Sequence, residues 1–115
     1  MRHRHIEDQE QIAVSLYLRL QYPDALFTCS GAGLITNART GGKMKKLGYT
    51  AGTPDLMIFK PNKDYQGLFI EMKGPKGVIS PLQKEWLEKL NSLGYKAVVC
   101  RGFREAKEVI DDYLK

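Results

Sequence analysis

The run Gly67-Leu68-Phe69-Ile70-Glu71-Met72-Lys73 constrains the fold more than any other segment of the chain. Side chains alternate along a strand, so Leu68, Ile70 and Met72 share one face and Phe69 takes the other. A strand that is apolar on both faces belongs inside a sheet. This one ends in charge: Glu71 and Lys73 project from the same face, where an acid and an amine taken out of water need a reason to be present. A second apolar run, Leu56-Met57-Ile58-Phe59, is opened by Asp55. Between the two lies Lys60 to Gln66, whose Pro61, Asn62 and Asp64 are turn formers, so an antiparallel hairpin is predicted. Pairing the runs would bring Asp55 close to Glu71.

Two carboxylates a few ångströms apart do not both stay ionised without compensation. The natural compensation is a hard divalent cation. Oxygen ligation with positions left for water suits Mg²⁺ or Mn²⁺ rather than Zn²⁺, and no Cys or His falls near the motif. Lys73 would then stand beside the attacking water or the scissile phosphate, where an ammonium orients the nucleophile and offsets developing negative charge. These are the parts of a hydrolytic site for phosphodiesters. A Glu-x-Lys on an edge strand is by itself commonly a solvated face; the apolar setting is what argues for a site.

The remaining segments read as helices and strands around that hairpin. A first helix spans about Glu7 to Gln21, with Ala13, Val14, Tyr17, Leu18 and Leu20 as its apolar stripe and Ser15 and Arg19 opposite. Tyr22-Pro23-Asp24 stops it. Ala25 to Cys29 reads as a strand, followed by a polar and basic irregular segment from Ser30 to Gly48. Ser80-Pro81-Leu82-Gln83 is a capping box with Pro at the first helical position, and Leu82, Trp86, Leu87, Leu90 and Leu93 supply the buried face of that helix up to Gly94. Lys96 to Arg101 is a further strand. Phe103, Ala106, Val109, Ile110, Tyr113 and Leu114 define a last amphipathic helix. The expected architecture is α/β, a mixed sheet flanked by helices in the order αβββαβα.

A chain of 115 residues holds one domain with one core, and a hydrophobic content of 43% with five prolines is that of a globular protein. The net charge of +5 favours a polyanionic partner. Cys29 and Cys100 are too few for a disulfide scaffold and lie in apolar runs, so both are expected as reduced core thiols. No apolar stretch approaches the ~18 residues of a membrane helix, and the N-terminal Met1-Arg-His-Arg-His lacks the apolar segment of a signal peptide. A cytoplasmic protein without membrane attachment is expected.

Four blocks in order, Gly48-Tyr-Thr-Ala-Gly52-Thr-Pro54-Asp55-Leu56, Glu71-Met-Lys73-Gly74, Ser80-Pro81-Leu-Gln83-Lys-Glu-Trp86 and Gly94-Tyr-Lys-Ala-Val-Val, resemble the virus-type replication-repair nuclease (VRR-NUC) domain of the PD-(D/E)xK superfamily. The resemblance covers nearly the whole chain. It implies a restriction-endonuclease-like core and divalent-metal-dependent cleavage of DNA. For short free-standing members of phages and bacteria it further implies homodimers that act on branched DNA such as four-way (Holliday) junctions. Asp55 and Glu71 would hold the Mg²⁺ or Mn²⁺, with the backbone carbonyl of Met72 as a further ligand. A glutamate of the first helix contributes to the site in that family. On a helical wheel Glu10 lies between Val14 and Tyr17, near the centre of the apolar stripe, and is the residue carried over; Glu7, toward the edge, is its substitute, and Asp8 faces away. Glu10 would otherwise be a first-turn acid favoured by the helix dipole. Gln83 has two compatible readings, completing the capping box and presenting a polar side chain to the site.

Arg39, Lys43, Lys45 and Lys46, with three glycines around them, either follow a DNA phosphate backbone or form a solvated basic helix. His3 and His5 with Arg2 and Arg4 fit a frayed terminus. Gly31-Ala32-Gly33 is not a dinucleotide fingerprint, because Thr36 stands where the third glycine would be. The rival functions are a nonspecific or flap-directed nuclease and a non-catalytic DNA-binding accessory protein.

Overall fold

The computed structural model describes residues 2–31 and 37–115, with side chains from Glu7 onward in the first helix. In chain order these residues form α1 (Arg2–Gln21), β1 (Phe27–Cys29), α2 (Ala38–Lys46), β2 (Leu56–Ile58), β3 (Leu68–Lys73), α3 (Pro81–Ser92), β4 (Lys96–Arg101) and α4 (Phe103–Leu114). The side chains of Arg2, His3, Arg4 and His5, and residues Ala32, Gly33 and Thr36, lie outside the described part.

The strands form one sheet in the order β1-β2-β3-β4. The predicted hairpin is there: β2 and β3 pair antiparallel, with Leu56 opposite Ile70 and Ile58 opposite Leu68. Its loop is tied by Asn62, whose Oδ1 accepts the N–H groups of Asp64 (2.9 Å) and Tyr65 (2.8 Å). β4 then lies parallel to β3, Lys73 beside Arg101, and α3 makes the crossover that a parallel pair requires. Asn91 joins the end of α3 to β4, donating to the Ala97 carbonyl (2.9 Å) and accepting the Ala97 N–H (3.0 Å).

Alternation along β2 and β3 sorts the core into two layers. Leu56, Ile58, Leu68, Ile70 and Met72 face α1 and α4, where they meet Val14, Leu18, Ala106, Ile110 and Tyr113. Each such fully buried aliphatic side chain contributes about 2 kcal/mol. Phe69 on the opposite face packs with Leu90, Ala97, Trp86 and Tyr95 under α3. β3 is thus buried on both sides, as its composition requires, and the acid and amine at its end share the α3 face with Phe69.

Four expectations need correcting. The segment expected to be irregular contains α2, so the order is αβαββαβα; Asn37 caps this helix by accepting the Thr40 N–H at 2.7 Å, but Gly41 and Gly42 break the periodicity that would reveal it. Leu20 is not in the core stripe of α1 but 76% exposed, because it continues the row Ile12-Leu16, also 60% and 54% exposed, at steps of four along a different flank. Leu82 and Leu93 stand outside the buried face of α3, of which Leu90 is the centre. Cys100 is buried as expected, whereas Cys29, on the short edge strand β1, is exposed; both are free thiols. Among the described residues, no helix is long and apolar enough to cross a membrane.

Candidate active site

The register that places Leu56 opposite Ile70 puts Asp55, one step before β2, across from Glu71. Asp55 is turned inward by its backbone surroundings: Oδ2 accepts the Met72 N–H at 2.8 Å, and its carbonyl accepts the Ser30 N–H at 2.9 Å. Lys73 Nζ stands 3.9 Å from Glu71 Oε2, so the three residues of the Asp and Glu-x-Lys motifs meet at one end of the sheet. They line a cleft of about 470 Å³. Its other walls are Glu7, Asp8 and Gln11 of α1, Tyr49 and Ala51 to Thr53 of the loop before Asp55, and Ser80, Leu82 and Gln83 at the start of α3.

Two local features hold the walls in place. Gly52 has φ +98, and a Cβ there would lie 2.8 Å from the Leu82 carbonyl carbon and oxygen, so only glycine lets the loop before Asp55 approach α3 this closely. Trp86 Nε1 donates to the Ala51 carbonyl (3.0 Å) and clamps the same contact. At the start of α3 the capping box forms as predicted: Ser80 Oγ accepts the Gln83 N–H (3.1 Å) and Gln83 Oε1 accepts the Ser80 N–H (2.9 Å). The amide nitrogen of the same Gln83 side chain donates to Glu71 Oε2 at 3.2 Å. Both readings of this residue are therefore geometrically satisfied at once.

Glu71 is only 2% exposed, and its Oε1 is buried without a hydrogen-bond partner. Burial, and after it the Asp55 carboxylate, push Glu71 up to about 9; Lys73 works in the other direction. Burial also raises Asp55 above its ordinary value, against the Met72 N–H, which favours the ionised form. Burial and mutual repulsion both favour a proton on the pair over two bare charges. The donor set is oxygen only. Among the described residues no three Asp, Glu, His or Cys side chains converge into a ready-made metal cage, which is compatible with Mg²⁺, an ion commonly held by one or two carboxylates plus waters and substrate phosphates. An orphaned, buried carboxylate oxygen beside a second carboxylate fits such an ion.

The helix acid differs from the expectation. Glu10 does point inward, but its Oε2 accepts the Phe103 N–H at 2.8 Å, at the start of α4, and it is not among the cleft residues. Glu7 is the α1 glutamate in the cleft, near enough to act electrostatically on both Asp55 and Glu71. The wheel gave the direction of Glu10 correctly; its destination is an N–H of another helix, which α1 alone does not reveal. Asp8, expected to face away, also lines the cleft. Arg39, Lys43, Lys45 and Lys46 are exposed on α2, outside the cleft wall; the end of α2 is tied to the cleft residue Tyr49, whose N–H donates to the Met44 carbonyl at 2.8 Å. Tyr49, Gln11 and Thr53 were not singled out by sequence. Thr53, whose Oγ1 is buried without a partner, had one signal, its position directly before Pro54-Asp55.

The VRR-NUC domain family matches residues 5–104 of the chain. A solved structure titled "VRR_NUC domain protein" is 29% identical over 95% of this chain and 88% of its own, with a TM-score of 0.77. None of the curated proteins matches. By its family match and its fold, the chain belongs to the VRR-NUC domain family, nucleases of the PD-(D/E)xK type that act on DNA.

Proposed function

We propose that this protein is a Mg²⁺- or Mn²⁺-dependent DNA endonuclease that cuts branched DNA such as four-way junctions in the cytoplasm, acting as a homodimer. The observation that carries the catalytic part is the buried Asp55–Glu71 pair, one oxygen of which has no partner, with the Lys73 amine 3.9 Å from Glu71. Asp55, Glu71 and the Met72 carbonyl would hold the ion, and Glu7, rather than Glu10, is the α1 glutamate that adds negative charge at the cleft wall. When bound, such an ion lowers the pKa of water and neutralises charge on the phosphoryl oxygens. Lys73 orients the nucleophile and stabilises the charge that builds on the phosphate in the transition state. Gln83 keeps Glu71 facing the cleft, since its amide is fixed at the other end by the Ser80 N–H.

Substrate choice rests on different features. α2 carries four cations and no acid and buries none of its residues, so it suits a phosphate backbone followed without base reading. The exposed row Ile12, Leu16 and Leu20 continues the row of Asp8 at the cleft rim. A second copy docked along it would set two clefts on one two-fold assembly, the arrangement a branched duplex with paired strands requires.

The deciding experiment is cleavage of a labelled four-way junction beside linear duplex, single-stranded and flap DNA, with Mg²⁺, Mn²⁺ or EDTA. The expected result is paired nicks in the junction, lost in EDTA and reduced about 10³-fold in Glu71→Gln and Lys73→Ala, with DNA binding retained and a sedimentation mass of two chains. Cleavage of every substrate would replace the junction reading with a general nuclease, and binding without cleavage would leave an accessory protein.

A further inference from the structure

We propose that Arg101 is a positioning residue: its guanidinium closes the Gly74–Gly77 turn over Lys73 and Glu7 and so sets where the Lys73 amine points. β3 and β4 run parallel with Lys73 beside Arg101, and both strands end there. Arg101 Nη1 donates to the Gly74 carbonyl (3.0 Å) and to the Gly77 carbonyl (2.7 Å), while the Gly77 N–H donates to the same Gly74 carbonyl (3.1 Å). One guanidinium nitrogen therefore holds both ends of the turn that follows Glu-Met-Lys. The far side of the turn rests on the site. A Cβ at Gly77 would lie 3.2 Å from Lys73 Cδ and 3.3 Å from Glu7 Oε2. The Lys73 side chain is 11% exposed.

Arg101 is itself held at a fixed corner. Its N–H donates to Glu105 Oε1 at 2.9 Å, Gly102 follows at φ +88, and the Phe103 N–H is taken by Glu10. Glu10 thus bears on the site at one remove, through the corner that carries Arg101. A lysine stem has several rotatable bonds, and its amine is directed only where packing limits them. Opening the turn releases Lys73 toward solvent. A misplacement of about 1 Å at such a group costs up to about 10²-fold in rate.

An exposed arginine on a DNA-binding protein is otherwise read as a phosphate contact, and the two roles separate experimentally. The kinetic consequence rests on the nuclease reading; the structural one does not. Metal-free wild type, Arg101→Ala and Arg101→Lys are labelled with an amine-acylating reagent, and each lysine is followed by mass spectrometry. The expected result is a several-fold faster reaction of Lys73 in Arg101→Ala, partly reversed in Arg101→Lys, with Lys89, whose side chain is 70% exposed, unchanged. In cleavage assays kcat falls about 10–100-fold in Arg101→Ala with KM for DNA and its salt dependence unchanged. Unchanged labelling of Lys73 overturns the inference, as does a parallel rise at Lys96, which signals general loosening. A raised KM with a shallower salt dependence assigns Arg101 to the DNA and also overturns it. If the wild type cuts no DNA, the nuclease reading falls and the labelling result alone decides.

Discussion

Glu71 ties the chemistry of the site to the stability of the fold. Its native carboxyl is pushed up to about 9, by burial first and by Asp55 second, whereas in the unfolded chain a glutamate titrates near about 4.3. Between those values the native state binds the extra proton, so stability is fully present in acid and is lost as pH rises toward 9. Asp55, raised for the same leading reason, adds to the trend. Asp111 has the opposite sign: hydrogen bonds from Tyr17 and Tyr22 hold it well below the usual carboxylate range, so its contribution is lost only in strong acid. Calorimetry in EDTA should show Tm falling steadily from pH 5 to 9 in the wild type and much less in Glu71→Gln. Adding Mn²⁺ should raise Tm more at pH 8 than at pH 5, because ion and proton compete for the same oxygens. A flat wild-type profile would contradict the buried acid pair.

The elements were legible where local signals are self-contained. The Ser80-Pro81-Gln83 box fixed the start of α3, the β3 run declared itself buried, and β4 and α4 lie where their patterns put them. Contacts between elements were not. The α1–α4 packing is sealed by Asp111, whose Oδ1 accepts from Tyr17 (2.5 Å) and Tyr22 (2.6 Å) and whose Oδ2 accepts from Lys107 (3.0 Å). Nothing in the spacing of Tyr17, Tyr22 and Asp111 announces a shared carboxylate, just as nothing in α1 announces that Glu10 ends at α4. Asp111→Ala leaves the Tyr17 and Tyr22 hydroxyls without their shared acceptor and should lower the midpoint of a denaturant titration. Metal binding and cleavage should be unaffected, since no part of that cluster borders the cleft.

Across the whole molecule, charge is unevenly spread: the acids that matter to the cleft come from α1, β3 and the start of β2, whereas α2 is uniformly basic. If α2 follows phosphates, Lys43→Ala with Lys46→Ala should weaken DNA binding similarly on all sequences and reduce the slope of log K against log salt by about 2. An unchanged slope would make α2 a solvated helix. The overall sheet and its flanking helices could be read from alternation and caps, but α2 could not, because a nine-residue helix with two internal glycines and no core contact leaves no hydrophobic period to find. That same lack of core contact gives this part of the chain a separate evolutionary freedom. Substitutions between Ala38 and Lys46 remove no buried side chain, so lineages can reshape this basic helix freely while the acid pair and its supporting strands stay as they are.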